Sequence, residues 1–255
     1  MALVLKNLSV RIENKTILQN INIEIPDNKF VGIIGLNGTG KSTLLKCVYG
    51  IYPYSGEIFF NDVNLNKLKL KERAQKMAVL VQENNIDFDF KVKDMVLMGR
   101  MPYKKLLEDD NEEDFQIVNK ALSYVNMLDF KDRYFSTLSG GEKQRIMIAR
   151  VLAQNTKFIV LDEPTNHLDI NNQFQFFELI KNMKFTVLSV LHDLNMAARF
   201  CDYIYLVSDS SICASGKPKE VLTQNVLRDI FGMYAIVHNV SEDKIYIEYI
   251  KSCEK

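Results

Sequence analysis

The segment Gly35-Leu36-Asn37-Gly38-Thr39-Gly40-Lys41-Ser42 fits the spacing G-x-x-x-x-G-K-[ST] and limits the fold more tightly than any other stretch of the 255 residues. Its flanks sharpen the match. Phe30 to Ile34 is a short continuous apolar run, the pattern of a buried strand, and Ser42 to Tyr49 has helical character. Strand, glycine loop and helix in that order open a βα unit of a parallel sheet. The glycines let backbone N–H groups converge on phosphate oxygens, and the helix start adds partial positive charge. Lys41 is placed to reach β/γ phosphates and Ser42 to ligate Mg²⁺, whereas an ordinary glycine-rich turn needs neither residue.

Phe158 to Leu161 is a second short apolar run, and it ends in two carboxylates, Asp162 and Glu163. Alone, an acidic pair after a strand equally suits a helix start. Beside a phosphate loop it supplies what hydrolysis still lacks. Asp162 suits Mg²⁺ held through its water shell, and Glu163, pointing the other way from the strand end, can polarise an attacking water.

The remaining chain fits an α/β protein. Leu3 to Ile12 is rich in β-branched residues, a polar turn follows at Glu13 to Lys15, and Ile21, Ile23 and Ile25 alternate with polar residues, which predicts an antiparallel edge. Met77 to Val81 and Thr186 to Leu191 are further buried-strand candidates, and Gln173 to Asn182 is helical. From Glu83 the β-type runs stop, and Ala121, Leu122, Val125 and Leu128 mark one apolar helix face, so residues 83–151 read as a helical insertion. Tyr203 to Val207, a turn at Asp209 to Ser211, a helix from Pro218 and a terminal hairpin over Ala235 to Ile250 complete the pattern.

Composition removes several classes. With 47% apolar residues the chain can bury a real core, and 25% charged residues with 5 prolines exclude a disordered or collagen-like chain. Lys plus Arg and Asp plus Glu both number 32, which cancels the long-range field of a sequence-general nucleic-acid binder. The apolar runs fall far short of the roughly 20 residues of a membrane helix, and Lys6 and Asn7 interrupt the N-terminus too early for a secretory signal. A cytosolic chain is the expectation. Cys47, Cys201, Cys213 and Cys253 lie far apart, without zinc or disulfide spacing.

Leu138-Ser139-Gly140-Gly141-Glu142, followed by Lys143-Gln144-Arg145 and a helical run, resembles the signature motif of ATP-binding cassette (ABC) ATPases. Ser139, Gly140 and Gly141 sit at a helix start, where backbone donors favour a γ-phosphate. Pro164 to Asp169 is similar to the family's D-loop, and the resemblance spans nearly the whole chain. It implies a single nucleotide-binding domain over residues 1–255: a P-loop NTPase (RecA-like) mixed-sheet core with an N-terminal antiparallel β subdomain (residues 1–82 and 152–255) and the inserted α-helical subdomain (residues 83–151).

The resemblance also implies site residues. ATP is bound by Gly35, Asn37, Gly38, Thr39, Gly40, Lys41, Ser42 and Thr43, with Ser139, Gly140, Gly141 and Asp169 acting across a head-to-tail dimer that sandwiches two ATP molecules. Mg²⁺ is held by Ser42, Asp162 and Gln82; Glu163, His192 and Gln82 are catalytic, His192 as the switch histidine. His167 and His238 carry a structural reading. In this family an aromatic residue usually stacks on adenine, yet the matching position is Ile12, beside Arg11, so adenine packing should be aliphatic.

The insertion carries Met95, Met98, Met101 and Tyr103, which suit either core packing or a groove for a partner helix. Importer ATPases receive a helix of the membrane permease in such a groove. The stretches Leu97 to Tyr103 and Leu191 to Asp202 resemble the ATPases that energise ferric-siderophore, haem and cobalamin importers. The implied setting is cytoplasmic, peripheral on the inner face of the cell membrane, with permease subunits, a second copy and an extracytoplasmic substrate-binding protein, and no nucleic acid. Two alternatives stand beside it: an ATPase for another small solute or an exporter, and a soluble cassette protein outside transport.

Overall fold

A computed structural model describes residues 2–81, 89–105, 107–165 and 168–253. In chain order, β1 (Leu3–Ile12) and β2 (Lys15–Ile25) make a hairpin in which Ile12 pairs with Lys15 across a turn at Glu13 and Asn14. β3 (Phe30–Ile34) runs into the glycine loop and α1 (Lys41–Val48). β4 (Ser55–Phe60), β5 (Val63–Asn64), α2 (Leu70–Ala74) and β6 (Ala78–Val81) follow. Next come α3 (Val92–Leu97), a 3₁₀ segment over Met98–Tyr103, α4 (Glu112–Tyr124) and α5 (Gly140–Ala153). The chain then alternates strand and helix: β7 (Phe158–Asp162), α6 (Ile170–Asn182), β8 (Thr186–Val190), α7 (Leu194–Phe200), β9 (Tyr203–Ser208) and β10 (Ser211–Gly216). It closes with α8 (Pro218–Val221), α9 (Gln224–Asp229), β11 (Met233–Asn239) and β12 (Ile245–Ser252).

The central sheet has the order β10-β9-β3-β8-β7-β6, parallel from β9 to β6, with β10 antiparallel at one edge. The antiparallel sheet β2-β1-β4-β5 lies over one face of it. Period-two alternation explains how a five-residue strand is buried throughout. Phe158 and Val160 of β7 join the cluster shared with β1, β2 and α1, while Ile159 and Leu161 join the cluster shared with α3 to α7. β3 is divided in the same way, with Val31 and Ile33 on one side and Phe30 and Ile34 on the other. Stiff, twice-covered strands therefore end at one edge, where β3, β7 and β8 deliver the glycine loop, the acidic pair and His192 side by side.

Three details differ from the sequence expectations. Leu128 is 37% exposed, because α4 stops at Tyr124 and Asn126 takes a left-handed φ of 57°, which carries Leu128 off the apolar face of the helix. The turn expected over Asp209 to Ser211 occupies Asp209 and Ser210, both at positive φ, the geometry of a tight hairpin turn, so Ser211 already opens β10. Helix α5 crosses residue 151 without a break and ends at Ala153. Among the described residues, no helix is long and apolar enough to cross a membrane.

Candidate functional site

A groove of about 690 Å³ opens beside the glycine loop, lined among others by Gly38, Gly40, Lys41, Ser42, Glu163 and His192. Asn37 and Thr43 complete its loop side. Gly35 and Thr39 shape the loop rather than the groove: a Cβ on Gly35 would sit 2.2 Å from the Val207 carbonyl oxygen of β9, and Thr39 Oγ1 donates to the Leu36 carbonyl at 2.9 Å. Around Gly38, by contrast, a Cβ would meet nothing within 4 Å, so the loop turns bare backbone toward open space of the kind a phosphate fills.

Lys41 is buried, and its Nζ donates to the carbonyls of Gly35 at 3.0 Å and Leu36 at 2.7 Å. The ammonium thus braces the loop from within. Burial holds its pKa below the usual lysine value, with the charges of Glu163 and Asp162 opposing that shift. Ser42 Oγ donates to Asp162 Oδ1 at 2.9 Å, joining the start of α1 to the end of β7 across 120 positions of sequence. Burial pushes the Asp162 carboxyl up, the Ser42 hydrogen bond resists, and the Glu163 charge adds to the rise. A hydroxyl against a buried carboxylate is a hard-oxygen pair of the type Mg²⁺ takes when substrate phosphates complete its shell. Among the described residues no group of three or more His, Cys, Asp or Glu forms a metal cage, so the donor set fits that shared mode of binding.

Glu163 has φ +51°, a left-handed conformation that costs a non-glycine residue about 1 kcal/mol or more. The turn swings its carboxylate off the strand line to within 2.5 Å of His192 Nε2, at the end of the neighbouring strand β8. Ile12 and Ile17 are the aliphatic residues lining the groove, and Ile17 is one that sequence reasoning did not single out. The available signal was its place on β2, just across the hairpin turn from Ile12, where a half-buried β-branched residue flanks the loop.

The signature residues do not enter this groove. Ser139 caps α5, its Oγ donating to Glu142 Oε2 at 2.9 Å and its backbone N–H to the same oxygen at 2.7 Å, and those bonds hold the Glu142 carboxyl below its ordinary pKa. Ser139 and Gly140 face solvent. Asp169 caps α6 by accepting from the Asn172 N–H at 2.9 Å. Gln82, residues 83–88, Asn166 and His167 lie outside the described residues. A missed contact joins the two regions: Gln144 Nε2, one turn into α5, donates to the Pro164 carbonyl at 2.6 Å and so ties the signature helix to the residue after Glu163. His238, given a structural reading, pairs with Glu248 on the terminal hairpin at 2.6 Å, away from the groove.

A second groove of about 890 Å³ runs beside the first, with Ser42, Asp162 and Glu163 at one end and Leu70, Met77, Met98, Met101 and Pro102 along it. The methionines divide accordingly. Met95 is core, whereas Met101 is 67% exposed.

Comparison with known proteins agrees with this geometry. The family model described as "ABC transporter" matches residues 18–166. The petrobactin import ATP-binding protein FpuD of Bacillus anthracis is 38% identical over 91% of this chain and 87% of its own length. The ferric enterobactin transport ATP-binding protein FepC of Escherichia coli K12 is 36% identical over 87% of this chain and 84% of its own. A solved metal-chelate type ABC transporter in an inward-facing conformation superposes with a TM-score of 0.84 and 26% identity, over 98% of this chain and 96% of that one. A phosphate loop, an acidic strand end and a strand-end histidine converging on one groove, within a family match covering more than half of the sequence, make this chain a member of the ABC transporter family.

Proposed function

We propose that the chain is the ATP-hydrolysing motor subunit of an importer for a metal chelate: a ferric siderophore, haem or cobalamin. The observation that carries this reading is the convergence of Lys41, Ser42, Glu163 and His192 on one groove, with Asp162 beneath Ser42, in a chain whose relatives are named for petrobactin and ferric enterobactin transport.

The loop amides from Gly35 to Ser42 and the Lys41 ammonium hold the triphosphate, while Ile12 and Ile17 cover the base. Ser42 and Asp162 would hold Mg²⁺, with Gln82 the further ligand that the family resemblance implies, and the ion would supply charge neutralisation on the phosphate oxygens. Glu163 accepts a proton from the attacking water, and His192 orients that carboxylate and reaches toward the γ-phosphate. Ser139 and Gly140, exposed at the start of α5, complete the site on a second copy together with the half-buried Gly141, and Asp169 lies in the same contact. Two copies arranged head to tail then enclose two ATP molecules and part after hydrolysis.

Residues 1–82 and 152–255 act as the ATPase core and residues 83–151 as the helical subdomain, with α5 as the rod between them. The second groove receives a cytoplasmic helix of the permease, which places the chain on the inner face of the membrane, in a system completed by an extracytoplasmic substrate-binding protein. The test is uptake of labelled ferric siderophore, haem and cobalamin by cells carrying the wild-type chain or Glu163→Gln. Uptake of one of them lost in the variant identifies the cargo. Equal uptake of all three in both strains refutes chelate import.

A further inference from the structure

The second groove contains one anomaly that ATP hydrolysis does not use. Leu70, Arg73 and Ala74 of α2 follow the spacing i, i+3, i+4 and line it together with Met77, just beyond the helix. Three of these are apolar; the fourth is a cation. Arg73 is only 8% exposed, and its Nε and Nη1 are enclosed with no hydrogen-bond acceptor among the described residues. Its neighbours are the Tyr54 phenol and the backbone at Gly50, where a Cβ would lie 2.6 Å from Nη1, so the absence of a side chain at Gly50 makes the berth for the guanidinium. The Tyr54 phenol shares a hydrogen bond with the guanidinium, but the two enclosed nitrogens left without acceptors are costly, and an acceptor arriving from outside would satisfy them.

The charges along the groove indicate what arrives. Lys46, Arg73 and Arg150 all line it, and among the described residues the carboxylates on its wall are Asp162 and Glu163, which belong to the nucleotide site. A planar guanidinium matches a carboxylate with two parallel N–H···O bonds, a geometry that a lysine cannot supply. We propose that Arg73 is the receptor for an aspartate or glutamate side chain on the permease segment that docks in this groove, an inference that rests on the groove being the permease site. Docking brings the carboxylate to Arg73, whose long stem rotates from the Gly50 berth to meet it. The acidic residue thereby fixes which membrane subunit fits and in what register, while Met98 and Met101 supply adaptable apolar contact around it.

The experiment uses the full chain purified in complex with its co-expressed membrane subunit. Arg73→Lys is treated with a carbodiimide, which joins an amine to a carboxylate in direct contact, and in a second sample a photo-crosslinking residue replaces Met101. The expected result is a crosslink from position 101 to a cytoplasmic segment of the permease, and one from position 73 to an Asp or Glu of that segment. A crosslink from 101 with none from 73 to a carboxylate overturns the role of Arg73 while leaving the docking site standing. No crosslink from either position removes the docking site and the proposal with it. A second readout separates recognition from a structural role. Arg73→Met should leave the melting temperature of the free chain unchanged or higher and weaken permease binding by at least tenfold. A fall of several degrees in the free chain, with permease binding intact, contradicts the proposal.

Discussion

His192 Nε2 and Glu163 Oε1 stand 2.5 Å apart, at the ends of neighbouring parallel strands. The contact holds Glu163 in its left-handed turn and fixes the direction in which the carboxylate faces. His192→Ala should therefore lower kcat by about 10²-fold or more with little change in the KM for ATP, because it releases the Glu163 carboxylate while the glycine loop, Lys41 and Ser42 still hold the nucleotide. Steady-state phosphate release measures both constants; a raised KM with unchanged kcat would contradict the assignment.

Ile12 and Ile17 are the aliphatic residues of the groove, and on the proposed function they face the base. Base stacking on an aromatic ring contributes about 1–3 kcal/mol, so Ile12→Tyr should tighten ATP binding by roughly tenfold and widen the preference for ATP over GTP. Titration calorimetry with both nucleotides decides this. No gain from the tyrosine would mean that the base lies elsewhere.

Loop and signature residues should separate cleanly in function. Lys41→Ala should abolish ATP binding, since Nζ braces the loop and faces the phosphate groove. Ser139→Arg should leave binding by the isolated chain intact and stop turnover, because Ser139 lies outside its own subunit's groove. Full turnover in Ser139→Arg would rule out a signature acting on the second copy.

The helical subdomain is pinned by a buried charge cluster. Asp114 accepts from Arg100 Nε at 3.0 Å and also pairs with Lys104, and Arg100 Nη1 donates to the Ala153 carbonyl at the end of α5 at 3.0 Å. Burial alone would raise the Asp114 carboxyl, but the bonds from Lys104 and Arg100 outweigh it and bring the pKa down from 3.8 to about 2. A depressed folded-state carboxyl stabilises above its unfolded pKa and loses that contribution as pH falls through the folded value. The gain is about 2 kcal/mol at neutral pH, fading between about pH 4 and pH 2. Urea unfolding of wild type and Asp114→Asn should show a gap of that order at pH 7 that narrows over this acid window. A gap independent of pH would contradict the ionic account.

Gly99 lies against the same helix end. A Cβ there would come within 2.3 Å of the Arg150 carbonyl oxygen, a backbone atom that cannot step aside. Gly99→Ala should cost about 1–3 kcal/mol by overpacking and lower the melting temperature, with ATP binding by the core unchanged. An unaltered melting temperature would show that α5 and the 3₁₀ segment separate freely.

Sequence reasoning reached the ATPase core because its signals are local. Period-two burial at Phe158 to Leu161, the glycine spacing before Lys41 and a histidine at a strand end each declare themselves within a few residues. The parts it missed depend on contacts distant in sequence. Gln144 reaches Pro164 across 20 positions, and Ile17 meets the loop only because β2 folds over it. Arg100 resembled part of a subfamily stretch, yet its structural partners, Asp114 and Ala153, lie 14 and 53 residues away. Leu128 was misplaced because one left-handed asparagine ended the helical period before it.

In the proposed cycle two copies close head to tail over ATP, and Glu163 drives their separation by hydrolysis. Light scattering on Glu163→Gln, with and without saturating ATP and Mg²⁺, decides whether that closure occurs. The account predicts a doubling of mass with nucleotide and a return to the monomer when nucleotide is removed. A variant that stays monomeric at saturating ATP and Mg²⁺ would contradict it.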